Sequence, residues 1–331
     1  MDEPQVSDAK LEIGREYPPD GEAAVIEQLR ALHLMVHKAQ PGPSQRGEHP
    51  KQHAGVWGTL TIADQIPGAM RVGLFAAPGS YKALIRFSNG RGPDDTKPEV
   101  HGMAVKVLVP EGSGPPRMQD FITADHAVFF ARDVQEVFDF LAATVKGVPV
   151  QDLLPKYPKL AGFTSVATTS LTAMSYWSQT PYQLGRGAVK YYIAPSDGSA
   201  AAASPLGTTP DCLRDALVDQ LTTRKVGATF DLSVIPQTDA DAMPVEDPTV
   251  EWTSAPIHVA TIAIDPQTFD TPEQTAFFAN LSWTPWNALP QHRPLGGVNR
   301  ARRHVYEDSA ALRHQTTGTG PVIPALKESG G

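Results

Sequence analysis

Hydrophobic positions along the chain fall into two periods. Residues 22–37 place Ala24, Ile26, Leu29, Leu32 and Met35 at the spacing of one helix face. Residues 56–64 (VWGTLTIAD), 81–89 (YKALIRFSN) and 102–110 (GMAVKVLVP) are short apolar runs bounded by Gly, Pro and polar residues, the pattern of strands. The runs at 187–195, 229–237 and 256–265 predict three more strands. Residues 127–133 (AVFFARD) read as a short buried strand leading into a helix over 134–145. Residues 168–177 and Asp211–Thr222 read as helical, 196–205 as a small-residue loop, and a last helix runs from about Asn299 to His314. Strands occur in runs rather than alternating with helices, which predicts an α+β fold around an antiparallel sheet or barrel. The expected layout is a polar N-terminal arm (1–20), one unit over 21–315, and a flexible tail (316–331).

Composition narrows the chemistry. The 27 glycines and 31 prolines argue against a helical bundle, and 41% hydrophobic residues argue against wholesale disorder. A net charge of −8 predicts no nucleic-acid partner. Cys212 is the only cysteine, so disulfide frameworks, Cys-based zinc sites and iron–sulfur clusters are excluded. The acidic N-terminus has no apolar leader core, and no run reaches the ~18 apolar residues of a membrane span, so the expected location is the cytoplasm.

The C-terminal helix carries the first chemical signal. With Asn299 as N-cap, Arg300, Arg302 and Arg303 crowd its first turn, where the macrodipole disfavours cations by ~0.3–1 kcal/mol each. At 100° per residue, Tyr306 lies about 40° from Arg302 and Arg313 about 20° from it, so the three share a face. Such a face is either solvated or built around Tyr306. A phenolate needs a neighbouring cation or metal to form near neutrality, and Tyr is a known proximal haem ligand.

Arg302-x-x-x-Tyr306 with Arg313 resembles the proximal haem motif of the catalase superfamily. Further segments resemble that family in the same order: Arg46-Gly-Glu-His49-Pro-Lys51, Gly55-Val56-Trp57-Gly58, Ile85-Arg86-Phe87-Ser88, residues 101–106 (HGMAVK), residues 128–133 (VFFARD), residues 277–280 (FFAN) and Pro285-Trp286-Asn287. The resemblance spans about Arg46–Arg313 and is nearest to small catalase-related haem peroxidases, since full-length catalases carry C-terminal helices absent here. It implies a catalase-like antiparallel barrel holding haem b.

By that resemblance Tyr306 ligates the iron, Arg302 hydrogen-bonds the phenolate, and Arg46, Arg86 and Arg313 neutralise the propionates. His49 is the distal base, Ser88 fixes its tautomer, and Phe129 lies against the macrocycle; His53 competes with His49 for the distal role. Two positions depart from the family: His101 stands where Arg is usual, and Ala124 stands where the distal Asn polarises the second peroxide oxygen. Thr123 and His126 are the candidates to replace that Asn. The implied function is a peroxidase that uses hydrogen peroxide or organic hydroperoxides to oxidise organic donors, with weak catalase activity at most. Rearrangement of lipid hydroperoxides and non-catalytic haem binding are the alternatives, and homo-oligomerisation through the arm is a further implication.

Overall fold

Antiparallel pairing of the apolar runs closes a barrel. The computed structural model describes residues 10–39, 45–111, 115–163 and 169–324. Helix α1 (Glu22–Lys38) precedes strands β1 (Gln52–Ile62), β2 (Ser80–Asn89), β3 (His101–Val109) and β4 (Arg117–Ala124). Helices α2 (Val134–Val145), α3 (Val150–Leu153) and α4 (Leu160–Phe163) follow, then β5 (Tyr176–Trp177), β6 (Tyr182–Leu184) and β7 (Gly187–Pro195). Next come α5 (Ser199–Ala202), α6 (Cys212–Leu217), β8 (Ala228–Pro236), β9 (Ile257–Ile264), α7 (Pro272–Asn280) and α8 (Gly297–Thr317). The sheet order is β5-β4-β3-β2-β1-β9-β8-β7-β6; a β5–β7 pairing closes a ring, and β6 is hairpinned onto β7.

The two faces of the strands have different tasks. Ile85 and Phe87 of β2 fill the barrel with Val105 and Val107 of β3, Phe121 of β4, Tyr191 of β7 and Phe230 of β8. Leu84 and Leu108 point outward against Phe278, Leu281 and Trp283. This second layer makes β2 apolar on both faces, and the outward face of β2 also carries Arg86 and Ser88. A buried ion pair ties the layer to the barrel: Lys106 Nζ lies 2.6 Å from Asp120 Oδ1, and Asp120 Oδ2 accepts from Thr284 N (3.1 Å) and Asn287 Nδ2 (3.0 Å). Ile26 and Leu29 of α1, Val134 of α2 and Ala301 of α8 form a separate apolar cluster.

Several sequence expectations are corrected. Residues 127–133 form bends, not a strand: the Phe129 N–H bonds Pro248 O (3.1 Å), and Phe130 packs among the helical residues Phe140, Leu153 and Leu160. The strand in this region is β4, hidden in the sequence because Gln119 and Asp120 interrupt its apolar residues and are themselves buried. Of the predicted helix over 168–177, Thr168 lies outside the described residues, 169–175 are irregular and turn, and Tyr176–Trp177 is β5. The 196–205 loop contains α5, and the 211–222 helix ends as α6 before a π-helical turn over Val218–Thr223. Helix α7 was not anticipated; its Thr271 cap accepts from Gln274 N, and Pro272 opens it. Residues 316 and 317 of the expected tail belong to α8, while 1–9 of the arm and 325–331 of the tail lie outside the described residues.

The start of α8 resolves the crowding of arginines. Its N-cap is Gly296, not Asn299, so only Arg300 falls in the first turn. Arg300 is gripped by Glu16 (2.7 Å), Glu22 (2.5 Å) and Glu246 (2.7 Å), and Gly296 N and Gly297 N donate to Glu16 and Glu246. These carboxylates offset both the guanidinium and the positive helix end, and they fasten residues 10–20 of the arm to their own chain. Arg300→Ala is therefore expected to lower stability by about 1–3 kcal/mol, less than for a fully buried network because the groups are partly solvated. Burial pushes the Glu16 carboxyl upward, but Arg293, Gly296 N–H and Arg300 outweigh it and hold it below its ordinary range. Its contribution is thus complete above about pH 4.5 and lost as pH falls through the depressed folded value. Urea melts at pH 7 and pH 3 should show the difference between wild type and variant shrinking in acid.

Candidate active site

The outward faces of β2, β3 and β4, the segment before β1, and helices α1 and α8 enclose two adjoining cavities. Arg46, His49, Arg86, Ser88, Tyr306 and Arg313 line the smaller, of about 110 Å³. His49, Phe129, Arg302 and Tyr306 line the wider, of about 410 Å³. Apart from the alternative His53, every residue given a role by the resemblance reaches one or both. His49 and Tyr306 border both, the first from the strand side and the second from α8.

His49 is held by backbone and sheet. It takes a left-handed backbone (φ 55°), which His tolerates better than most residues; its N–H bonds Gly90 O (2.8 Å) and its carbonyl accepts from Arg86 Nη2 (2.8 Å). The ring rests on Gly102, where a Cβ would come within 2.7 Å of Nδ1, so only glycine admits this placement. Ser88 Oγ lies 3.3 Å from Nδ1. With Nδ1–H donating to Ser88, Nε2 keeps its lone pair. Burial lowers the imidazole pKa to about 3, with Arg86 and His101 adding repulsion, so His49 stays neutral over the physiological range.

His53 is elsewhere. It is fully buried in β1 with Nε2 2.7 Å from Asn89 Oδ1, and it borders neither cavity. Asn89 in turn donates to Asp95, which Lys51 also binds (2.7 Å). The group is a structural tie at one end of the barrel.

Three guanidiniums gather at the smaller cavity. Arg46 donates to Ala279 O (2.8 Å) and Leu281 O (2.6 Å), Arg86 to Gln52 Oε1 (3.2 Å) and His49 O, and Arg313 to Leu281 O (3.2 Å). Among the described residues none of them has an ion-pair partner, and Arg313 Nε is buried without a hydrogen bond. Burial and mutual repulsion push Arg46 well below its ordinary value, and burial and Arg313 push Arg86 down to about 9. Uncompensated cations of this kind suit a bidentate carboxylate ligand.

On α8, Arg302 Nη2 donates to Tyr306 Oη (3.0 Å). Its Nη1 donates to Thr180 Oγ1 (3.3 Å) and Asn299 Oδ1 (3.2 Å). Thr180 and Asn299 are the functional neighbours that sequence reading missed. Asn299 looked like a cap, although its i,i+3 spacing to Arg302 was a usable signal; Thr180 is far away in sequence and gave none.

The departures are also placed. Ala124 lines the wider cavity beside Ile122 and Phe129 and offers no donor. Thr123 directs its hydroxyl to Met103 O (2.5 Å), and His126 Nδ1 lies 3.0 Å from Val128 O with its ring stacked on Phe163 (4.5 Å). Neither replaces an amide. His101 Nδ1 lies 2.7 Å from Asp125 Oδ2, while its Nε2 is buried and unpartnered.

A cavity with apolar flanks and three arginines at one end matches an apolar macrocycle with two carboxylates on one edge. The residues present thus fit haem, with the Tyr306 oxygen available as a ligand. The barrel is that of solved catalases, and the chain is similar in sequence to the catalase superfamily. The sequence model of the Catalase family matches residues 17–181. A "Catalase-related peroxidase" from Mycolicibacterium paratuberculosis (strain ATCC BAA-968 / K-10) is 29% identical over 217 residues, 58% of this chain and 66% of the relative. Among solved structures, a bacterial catalase superposes with a TM-score of 0.65 at 18% identity, covering 97% of this chain and 67% of that one. Catalase A from Saccharomyces cerevisiae gives 0.65 at 19%, covering 98% and 73%. The chain therefore spans about two thirds of the curated relative it matches. Among the described residues, no helix is long and apolar enough to cross a membrane.

Proposed function

We propose that this chain is a haem-dependent peroxidase, a single haem b-binding unit over residues 21–315. It uses hydrogen peroxide or organic hydroperoxides to oxidise organic donors and disproportionates hydrogen peroxide weakly at most. The observation that carries the reading is the convergence of neutral His49, Arg-paired Tyr306 and three arginines without carboxylates on adjoining cavities. Bound haem would supply the redox-active iron at which the peroxide O–O bond breaks and through which electrons pass from the donor.

The chain's own groups do the rest. Tyr306 would offer its oxygen to the iron, and Arg302, which donates to that oxygen, would stabilise it as a ligand. Arg46, Arg86 and Arg313 would hold the propionates, and Phe129 would pack against the macrocycle. His49 Nε2 would take a proton from the hydroperoxide and return it to the departing oxygen, while Ser88 holds the ring's other nitrogen. The balance is ROOH plus two electrons and two protons, giving ROH and water, with the electrons drawn from the donor.

The apolar lining of the wider cavity by Leu29, Phe130, Val137, Phe140, Leu141 and Leu160 favours one second reading, rearrangement of a lipid hydroperoxide. Product analysis separates the two, since rearrangement consumes no donor. The buried lone Cys212 is in keeping with a reducing cytoplasm.

Haemin titration of the purified chain tests the cofactor assignment. A Soret band with a phenolate-ligated spectrum is expected, and Tyr306→Phe should remove that spectrum. A native spectrum in Tyr306→Phe would sink the proximal assignment. A full Soret band without peroxide-dependent donor oxidation would make the chain a haem carrier.

A further inference from the structure

Helix α8 presents two arginines only two residues apart, on opposite faces and with opposite electrostatic surroundings. Arg300 is neutralised by Glu16, Glu22 and Glu246. Arg302 points to the cavity, and its side-chain partners are an amide, a hydroxyl and the Tyr306 phenol. Among the described residues no carboxylate makes an ion pair with it.

The orientation of that amide is fixed by its own bonds. Asn299 is fully buried, and Nδ2 donates to Pro181 O (2.9 Å) and Leu295 O (2.9 Å). Oδ1 is therefore the atom that accepts, from Arg302 Nη1 and from the Thr180 hydroxyl (3.1 Å). The other nearby phenol, Tyr182, brings no compensating charge, because burial pushes it up to about 12 and it keeps its proton. Arg302 is thus aimed through neutral oxygens.

We propose that Asn299 and Thr180 are positioning residues that aim Arg302 at the Tyr306 oxygen without cancelling its charge, and so set how strongly that oxygen donates to a bound iron. The inference rests on Tyr306 being the haem ligand. A full positive charge 3.0 Å from the phenolate oxygen withdraws electron density from it. A carboxylate in place of the amide would still orient the guanidinium but would neutralise it. The phenolate would then donate more strongly and favour the ferric state.

The test is a redox titration of the haemin-loaded full chain, with resonance Raman of the iron–phenolate stretch, for wild type, Asn299→Asp and Thr180→Val. Asn299→Asp is expected to favour ferric over ferrous at least tenfold, a shift of about 59 mV to more negative potential for a one-electron couple. Thr180→Val, which keeps the side-chain shape, is expected to shift in the same direction by less, through a loosened Arg302, and it carries the test where Asn299→Asp does not fold. Wild-type potential and stretch in every folded variant would overturn the proposal while leaving the haem assignment intact. A wild-type protein lacking a phenolate-ligated spectrum would overturn both.

Discussion

Replacing His49 with Asn in the haem-loaded chain is expected to lower steady-state donor oxidation by at least ~10²-fold, the low end for loss of a general acid–base group. The substitution is chosen for its backbone. His49 sits at φ 55°, and Asn enters this region more readily than Ala, for which the left-handed conformation costs roughly 1 kcal/mol. Asn cannot shuttle a proton at neutral pH, so the loss reports chemistry rather than folding. The pH profile supplies a second readout. Because burial, Arg86 and His101 depress the imidazole pKa to about 3, the wild-type rate should show no inflection near pH 6.5 and should fall only in strong acid, as Nε2 becomes protonated. His53→Ala should leave the rate near wild type while lowering stability, since it deprives Asn89 of a buried partner. Rates that stay high in His49→Asn and collapse in His53→Ala would transfer the distal role to His53.

Strand periodicity exposed most of the barrel because β1, β2, β3, β7, β8 and β9 each keep apolar residues on the inner face. It failed at β4, where Gln119 and Asp120 are buried by virtue of partners far away in sequence: Leu289 N donates to Gln119, and Lys106, Thr284 and Asn287 bond Asp120. It failed in the opposite sense at Ala127–Asp133, where the aromatic run serves a cavity wall and a helical cluster rather than a ladder. At the site, residues within one local motif were legible, as with Arg302 and Tyr306 one turn apart. Contacts that join distant segments were not. The seat of His49 on Gly102, the anchoring of Arg302 by Thr180 and the three carboxylates around Arg300 all arise only on folding, so no spacing announces them. The sequence also misplaced the start of α8 at Asn299. An asparagine before a charged run looks like a cap, but here its amide bonds Pro181 O and Leu295 O inside the helix packing.

Installing an amide at Ala124 is expected to move the chain toward hydrogen peroxide disproportionation. Ala124 pairs with Gly102 and Trp177 across the sheet, and its side chain faces the wider cavity, whose volume of about 410 Å³ leaves room for the larger group. Ala124→Asn would place an N–H donor beside the oxygen on which charge develops as the O–O bond breaks. One preorganised donor of this kind is worth ~2.7–4 kcal/mol, or ~10²–10³ in rate. Thr123 and His126 do not mask the effect, because both are engaged with backbone carbonyls. Ala124→Leu is the control for filled volume: it adds similar bulk and no donor, and should give no gain. The measurement is oxygen evolution against donor oxidation at one peroxide concentration, with haem content matched. A ratio that stays at the wild-type value in folded, haem-loaded Ala124→Asn would show that the missing amide does not hold disproportionation back. Equal gains in the Asn and Leu variants would assign the effect to cavity filling instead of hydrogen bonding.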